Sequence, residues 1–187
     1  MHRLFTAIKI KPGKKLVEAI DDFASELQEE KIKWVNKNNI HITLKFFGDT
    51  PESKIDTITE LLQQASRESD PFELSIKGCG TFGSPRFPRI IWVGLEKNEQ
   101  MHNLYENINK KLAKEGYEPE KRGFSPHLTI GRVKNIKNLY KIDELISKYN
   151  DTSFMTQNVK EFHLFESILN KEGPTYNILK TFTLSNK

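Results

Sequence analysis

The spacing of apolar residues changes repeatedly along the chain between the period of a strand and that of a helix. Residues 3–10 alternate apolar and polar side chains, which predicts a strand. Apolar residues then recur at helical spacing from residue 14 to about residue 30. Residues 40–47 have the pattern of a second strand, which we expect to end at Gly48. The sequence therefore begins with a predicted strand, helix and strand.

The rest of the chain continues this alternation. Thr50 is predicted to cap a helix that opens with Pro51 and runs to about residue 65. Residues 72–78 predict a strand, and the glycine and proline residues over 78–88 predict a loop. The remaining predictions are a strand over 89–95, a helix over 101–112, a strand over 125–133, a helix over 138–149 and closing strands over 154–166 and 175–184.

The order strand, helix, strand, helix, strand thus occurs once in each half of the sequence. This repetition predicts the α+β class, with a duplicated unit and two lobes whose antiparallel sheets face each other across a central cleft. A length of 187 residues suits a single domain, and no linker-like segment divides the chain. We therefore expect one bilobal domain over residues 1–187.

One short motif is shared by the two halves. The chain has His-Ile-Thr-Leu at residues 41–44 and His-Leu-Thr-Ile at residues 127–130, each on a predicted strand. Side chains two apart on a strand project to the same side, so each His and Thr share a polar face while the apolar residues face the core. If the halves are related by a pseudo-two-fold axis, the two polar faces meet across the cleft.

A pair of histidines suits the cleavage of a phosphodiester. Imidazole has an ordinary pKa near 6.5, so His41 and His127 can serve as general acid and general base. The hydroxyls of Thr43 and Thr129 can donate hydrogen bonds to the nonbridging oxygens of the phosphate. The alternatives are a structural role for both histidines and a metal site. The second lacks support, because neither motif has a carboxylate or second histidine at ligand spacing and Cys79 stands alone.

Composition indicates the kind of partner and the cellular compartment but adds little about the chemistry. The net charge of +4 and the isoelectric point near 9.0 fit an anionic partner, although many other proteins have similar values. The single cysteine, Cys79, leaves no internal disulfide, which favours the cytoplasm. No apolar run approaches the roughly 20 residues that cross a bilayer, so no membrane is expected. We expect a monomer without an obligate protein partner.

Longer blocks around the two motifs resemble a known family. The sequence is similar to the two-histidine (2H) phosphoesterases, and within them to the RNA 2',3'-cyclic phosphodiesterases, historically called 2'-5' RNA ligases (LigT-like). In that family the histidine motif is written HxTx. The blocks that carry the resemblance are residues 3–8, 41–48, 80–86, 91–95, 124–133, 164–167 and 173–176.

The resemblance implies an activity and roles for six residues. It implies hydrolysis of a terminal 2',3'-cyclic phosphate of RNA to a 2'-phosphate without a metal or cofactor. His41 would donate a proton to the departing 3'-oxygen, and His127 would activate water. Arg132 would approach the phosphate and Phe46 would stack on the base, while Thr43 and Thr129 complete the site.

Strand alternation conflicts with two of these roles. Phe46 and Arg132 each follow a motif histidine by five residues, which places them on the opposite face unless the strand bulges or ends. The alternatives are core packing for Phe46 and a surface salt bridge for Arg132.

Other functions stay open at the level of sequence. Reversal of the same chemistry would join RNA ends through a 2'-5' linkage. The substrate could instead be a small cyclic nucleotide, a 2'-5' oligonucleotide or an ADP-ribose cyclic phosphate. A rival of another class is a silent nucleotide- or RNA-binding module that uses the same cleft.

Overall fold

The strands form two antiparallel sheets in the computed structural model, which describes residues 1–118, 123–170 and 173–185. The strands are β1 (His2–Lys9), β2 (Lys31–Trp34), β3 (His41–Thr50), β4 (Phe72–Ser84), β5 (Phe87–Leu95), β6 (Leu128–Asn135), β7 (Ser153–Val159), β8 (Glu161–Asn170) and β9 (Gly173–Thr183). The helices are α1 (Lys14–Glu26), α2 (Ile55–Arg67), α3 (Glu99–Leu112) and α4 (Leu139–Tyr149).

Each sheet combines strands from both halves of the chain. The four-stranded sheet has the order β3-β1-β8-β9, and the five-stranded sheet has the order β2-β6-β5-β4-β7. All of the paired strands are antiparallel. The predicted α+β class with two lobes and facing antiparallel sheets is confirmed. The two halves of the sequence are nevertheless interleaved, because β8 and β9 complete the sheet that β1 and β3 begin.

Helices cover the back of each sheet and bury the core. Helices α2 and α3 contact each other and the strands β9 and β3, whereas α1 and α4 contact each other and the strands β7 and β4. Each helix has one apolar face, such as Leu16, Ile20 and Phe23 on α1. The motif residues Ile42 and Leu128 are fully buried in this core, as the alternation of the strands predicts.

Two predictions about chain breaks are wrong for one reason, which is that glycine in a strand can mark a bulge as well as an end. Residues 78–88 do not form a loop, because β4 continues to Ser84 and β5 begins at Phe87. Gly78 and Gly83 have φ angles of 71° and 120° and lie at shifts in the strand register. Strand β3 likewise continues past Gly48.

The helix predicted after Thr50 begins later than expected. Thr50 ends β3, and its hydroxyl donates to the carbonyl oxygen of Gly48 instead of capping a helix. A short 3-10 turn over Glu52–Lys54 precedes α2 at Ile55. The first helix ends at Glu26 instead of residue 30.

The number and the bounds of the strands in the C-terminal third also differ from the prediction. Residues 154–166 were expected to form one strand but belong to β7 and β8, which lie in different sheets. The four-residue β2 was not predicted, because its pattern is too short to be recognised. Its hydrogen bonds to β6 place it beside the second motif.

The indole of Trp92 packs over two glycines of the five-stranded sheet. A Cβ atom on Gly80 would lie 2.4 Å from the indole ring, and one on Gly94 would lie 3.2 Å from it. Phe82 packs against Trp92 with a distance of 5.3 Å between ring centroids. The absence of side chains at the two glycines therefore lets the indole support Phe82.

Replacing Gly80 by alanine is expected to destabilise the fold. The new methyl group would force the Trp92 indole from its position, which should lower the free energy of unfolding by about 1–3 kcal/mol. Denaturant unfolding monitored by fluorescence measures the change. In a Trp92→Leu background the same Gly80→Ala substitution should cost clearly less, because the clash is absent. An equal cost in both backgrounds would contradict the described packing.

Candidate active site

Each motif histidine is held by the carbonyl group of the residue two positions before it. Nδ1 of His41 lies 2.7 Å from the oxygen of Asn39, and Nδ1 of His127 lies 2.8 Å from the oxygen of Ser125. A carbonyl oxygen only accepts hydrogen bonds, so Nδ1 carries a proton and donates it in both rings. Nε2 is therefore the atom that each ring has available for proton transfer.

An extra residue follows the motif threonine of β3. Ala7 of β1 pairs with Thr43, but the preceding Thr6 pairs with Lys45. Leu44 is consequently unpaired and forms a β-bulge, with its side chain 2% exposed in the core.

The second motif has a bulge at the same position. Trp92 of β5 pairs with Thr129, but the preceding Ile91 pairs with Gly131. Ile130 is therefore the extra residue, and it is buried in the core as Leu44 is. The two motifs share their backbone irregularity as well as their sequence.

These bulges resolve the conflict over Phe46 and Arg132. After the bulge in β3, Phe46 returns to the face of His41 and Thr43, and after the bulge in β6, Arg132 returns to the face of Thr129. Phe46 is 57% exposed, so it is not a core residue. Arg132 is exposed and has no salt bridge to any described residue. The alternative of core packing for Phe46 is therefore wrong, and the described residues offer no partner for a salt bridge with Arg132.

The two motifs act on each other electrostatically. Burial lowers the pKa of His41 below its ordinary value, and the hydrogen bond to Asn39 opposes this shift. The positive charges of Arg132 and His127 lower the pKa of His41 further. Strand β3, which carries His41, also contacts β6. His127 and Arg132 therefore lie close enough to His41 to influence its charge.

Aromatic rings pack against both histidines, and sequence reasoning assigned no role to them. The ring of His41 lies 5.0 Å from Phe5 and 5.3 Å from Tyr176, and that of His127 lies 4.8 Å from Phe82. The sequence feature that could have identified these rings is an aromatic residue that points away from the core-facing side of its strand. Phe5, for example, alternates with buried Leu4 and Thr6 but joins a separate small cluster.

Other groups with reactive potential lie outside this arrangement. Burial raises the pKa of the Cys79 thiol to about 12, so the sulfur is protonated and a poor nucleophile. Within residues 1–118, 123–170 and 173–185, no three side chains of His, Cys, Asp or Glu gather as metal ligands. Nor does any helix in those ranges have the length and apolar character to cross a membrane.

Comparison with known proteins identifies the family of the chain. A family model described as the 2'-5' RNA ligase superfamily matches residues 15–169. The chain belongs to this superfamily. A curated relative from Methanothermobacter thermautotrophicus, named RNA 2',3'-cyclic phosphodiesterase, is 37% identical over 175 residues, which cover 90% of this chain and 95% of the relative. The resemblance noted from the sequence is confirmed.

Solved structures with the same fold superpose on nearly the whole chain. The TT0787 protein of Thermus thermophilus superposes with a TM-score of 0.79 at 23% identity and covers 97% of both chains. E. coli LigT in its apo form gives a TM-score of 0.72 at 22% identity, with coverage of 99% of this chain and 98% of LigT. The two-lobe fold of this 2'-5' RNA ligase superfamily member is therefore shared with them.

Removing the charge of Arg132 is expected to raise the pKa of His41. The guanidinium disfavours the protonated imidazole, so Arg132→Gln should relieve part of the downward shift. NMR titration of the imidazole Cε1–H signal, assigned with a His41→Ala variant, measures the pKa. Lys110→Gln, an exposed change on α3, should leave it unaltered. An unchanged pKa in Arg132→Gln would show that the guanidinium does not reach His41.

Proposed function

We propose that this protein hydrolyses the terminal 2',3'-cyclic phosphate of RNA to a 2'-phosphate, with His41 and His127 as a metal-independent acid/base pair. The observation that carries the proposal is the matched anchoring of both rings through Nδ1, together with the influence of His127 on His41. The name of the M. thermautotrophicus relative, RNA 2',3'-cyclic phosphodiesterase, supports the choice of substrate.

The reaction needs one proton removed and one proton supplied. Nε2 of neutral His127 takes a proton from water as the water oxygen forms a bond to phosphorus. The bond from phosphorus to the 3'-oxygen breaks, and Nε2 of protonated His41 gives its proton to that oxygen. The product is a 2'-phosphomonoester with a free 3'-hydroxyl. Proton exchange with solvent then restores both histidines.

The surroundings of His41 suit a proton donor that becomes protonated when the substrate binds. In the free protein, burial and the charge of Arg132 keep the pKa of His41 low. An anionic phosphate in the site would favour the imidazolium form and oppose that shift. His41 would thus gain its proton when the group that needs the proton is bound.

The remaining site residues act on the substrate without exchanging protons. The hydroxyls of Thr43 and Thr129 would donate hydrogen bonds to the nonbridging oxygens, where negative charge develops. Arg132 would pair with the phosphate, since its fork of donors matches two oxygens. Exposed Phe46 would stack on the terminal base, a contact that contributes roughly 1–3 kcal/mol.

We further infer how the protein operates as a whole. Residues 1–187 act as one bilobal domain, because each sheet needs strands from both halves of the chain. The protein works as a cytoplasmic monomer without a cofactor, a setting that suits the single buried Cys79. The reverse reaction, which joins a 2',3'-cyclic phosphate to a 5'-hydroxyl, is a side activity by microscopic reversibility.

Loss of either histidine is expected to abolish most of the turnover. His41→Ala and His127→Ala should each reduce kcat about 10²–10⁴-fold on RNA with a 2',3'-cyclic end, because each removes one proton transfer. His102→Ala, an exposed histidine on α3, is the matched control and should retain full activity. Release of the 2'-phosphate, measured by chromatography, should be insensitive to EDTA. A strict metal requirement, or full activity in both histidine variants, would overturn the mechanism.

The pH dependence of kcat/KM should report the lowered pKa of His41. The profile should be bell-shaped, because one histidine must start protonated and the other neutral. Arg132→Gln should move the limb that His41 governs to higher pH, because the substitution raises that pKa. Two limbs that both stay in place in Arg132→Gln would contradict the influence of the guanidinium on His41.

A further inference from the structure

A second arginine lies on the same sheet face as His41. Successive residues of β1 point to opposite faces of the sheet, with Leu4 in the main core and Phe5 in a separate small cluster on the other face. Arg3 therefore shares the face of Phe5, whose ring contacts His41 at 5.0 Å. It lies two residues beyond Phe5, or about 7 Å along the strand. Arg3 is thus beside the site, two residues further along β1 than the ring that contacts His41.

Tyr176 links this arginine to the proposed catalytic centre. Its ring contacts His41 at 5.3 Å and Phe5 at 5.0 Å, both edge to face. Burial raises the pKa of Tyr176, and the charges of Arg132 and Arg3 oppose that rise. The phenol hydroxyl is therefore within electrostatic reach of one arginine from each sheet.

The guanidinium of Arg3 is available for a ligand. Arg3 is exposed, and it forms no hydrogen bond or salt bridge with any residue in the described ranges, although Asp49 pairs with it across the strands. A free guanidinium presents five donors and binds phosphate through two parallel hydrogen bonds. The hydroxyl of Tyr176, on which the charge of Arg3 acts, can add a further donor.

We propose that Arg3 and the Tyr176 hydroxyl form a second phosphate site, which holds the internucleotide phosphate that precedes the terminal cyclic phosphate. This inference rests on the proposed function, which places the cyclic phosphate between His41 and His127. Because Arg3 lies about 7 Å along β1 from Phe5, whose ring contacts His41, we assign its guanidinium to the next phosphate of the polynucleotide, one nucleotide away. A mononucleotide has no such group. The site therefore selects RNA ends over free cyclic nucleotides.

The test compares two substrates in one set of variants. Arg3→Ala should lower kcat/KM about tenfold or more for a short RNA with a 2',3'-cyclic end, mainly through a higher KM. It should change kcat/KM for a mononucleoside 2',3'-cyclic phosphate less than twofold. Tyr176→Phe keeps the ring contacts and should show the same selectivity with a smaller loss. Lys110→Ala, which removes an exposed charge on α3, is the control for net charge.

Salt dependence gives an independent measure of the same contact. The slope of log binding constant against log salt concentration for the RNA should become shallower by about 0.7 in Arg3→Ala, because one phosphate contact is lost. Equal losses of kcat/KM in Arg3→Ala for the RNA and for the mononucleotide, or no loss for either, would overturn the proposal. Thermal unfolding of Arg3→Ala should match that of the unmodified protein, since Arg3 makes no hydrogen bond or ion pair within the described fold.

Failure of the proposed function would be visible separately. It would appear as no hydrolysis of either substrate by the unmodified protein. Binding of a short RNA that ends in a 2'-phosphate, measured by fluorescence anisotropy, does not depend on turnover. Weaker binding of this RNA by Arg3→Ala, with unchanged binding of a nucleoside 2'-phosphate in competition, would still support the second site. Equal binding of the RNA by both proteins would overturn it.

Discussion

Side chains alternate between the two faces of a regular strand, so a residue five positions after a motif histidine should lie on the opposite face from that histidine. Phe46 and Arg132 both occupy this position. One extra buried residue in each strand, Leu44 in β3 and Ile130 in β6, restores the alternation. Phe46 and Arg132 join the polar face only because of these bulges. The side chain of the extra residue is anchored in the core, so the stability of the interior also sets the geometry of the cleft.

The two motifs provide a symmetric frame with different chemistry on each side. The backbone carbonyl contacts of His41 and His127 are nearly identical, and the bulges coincide. The positions that follow differ, because Phe46 is an aromatic and Arg132 a cation. The surroundings differ as well, since Phe5 and Tyr176 both pack on His41. This arrangement suits the proposed substrate, which has a nucleobase on one side and the negative charge of a phosphate on the other.

Sequence patterns predicted what depends on local periodicity and missed what depends on pairing between distant strands. The four helices and the common face of His41 and Thr43 follow from residue spacing alone. The continuation of β4 through residues 78–84 could not be read, because glycine permits a bulge and a turn equally well. The partners of β2 and β8 lie far away in sequence, so no local signal revealed them. The ring contacts of Tyr176 depend on the same long-range pairing.

The interleaved strand order has a consequence for synthesis of the chain. Strand β1 lies between β3 and β8, so one of its edges stays open until residues 161–170 have left the ribosome. At ordinary elongation rates this exposure lasts roughly 10–30 s, and an unpaired edge invites association with other chains. Strand β1 is therefore among the last strands to pair along both of its edges.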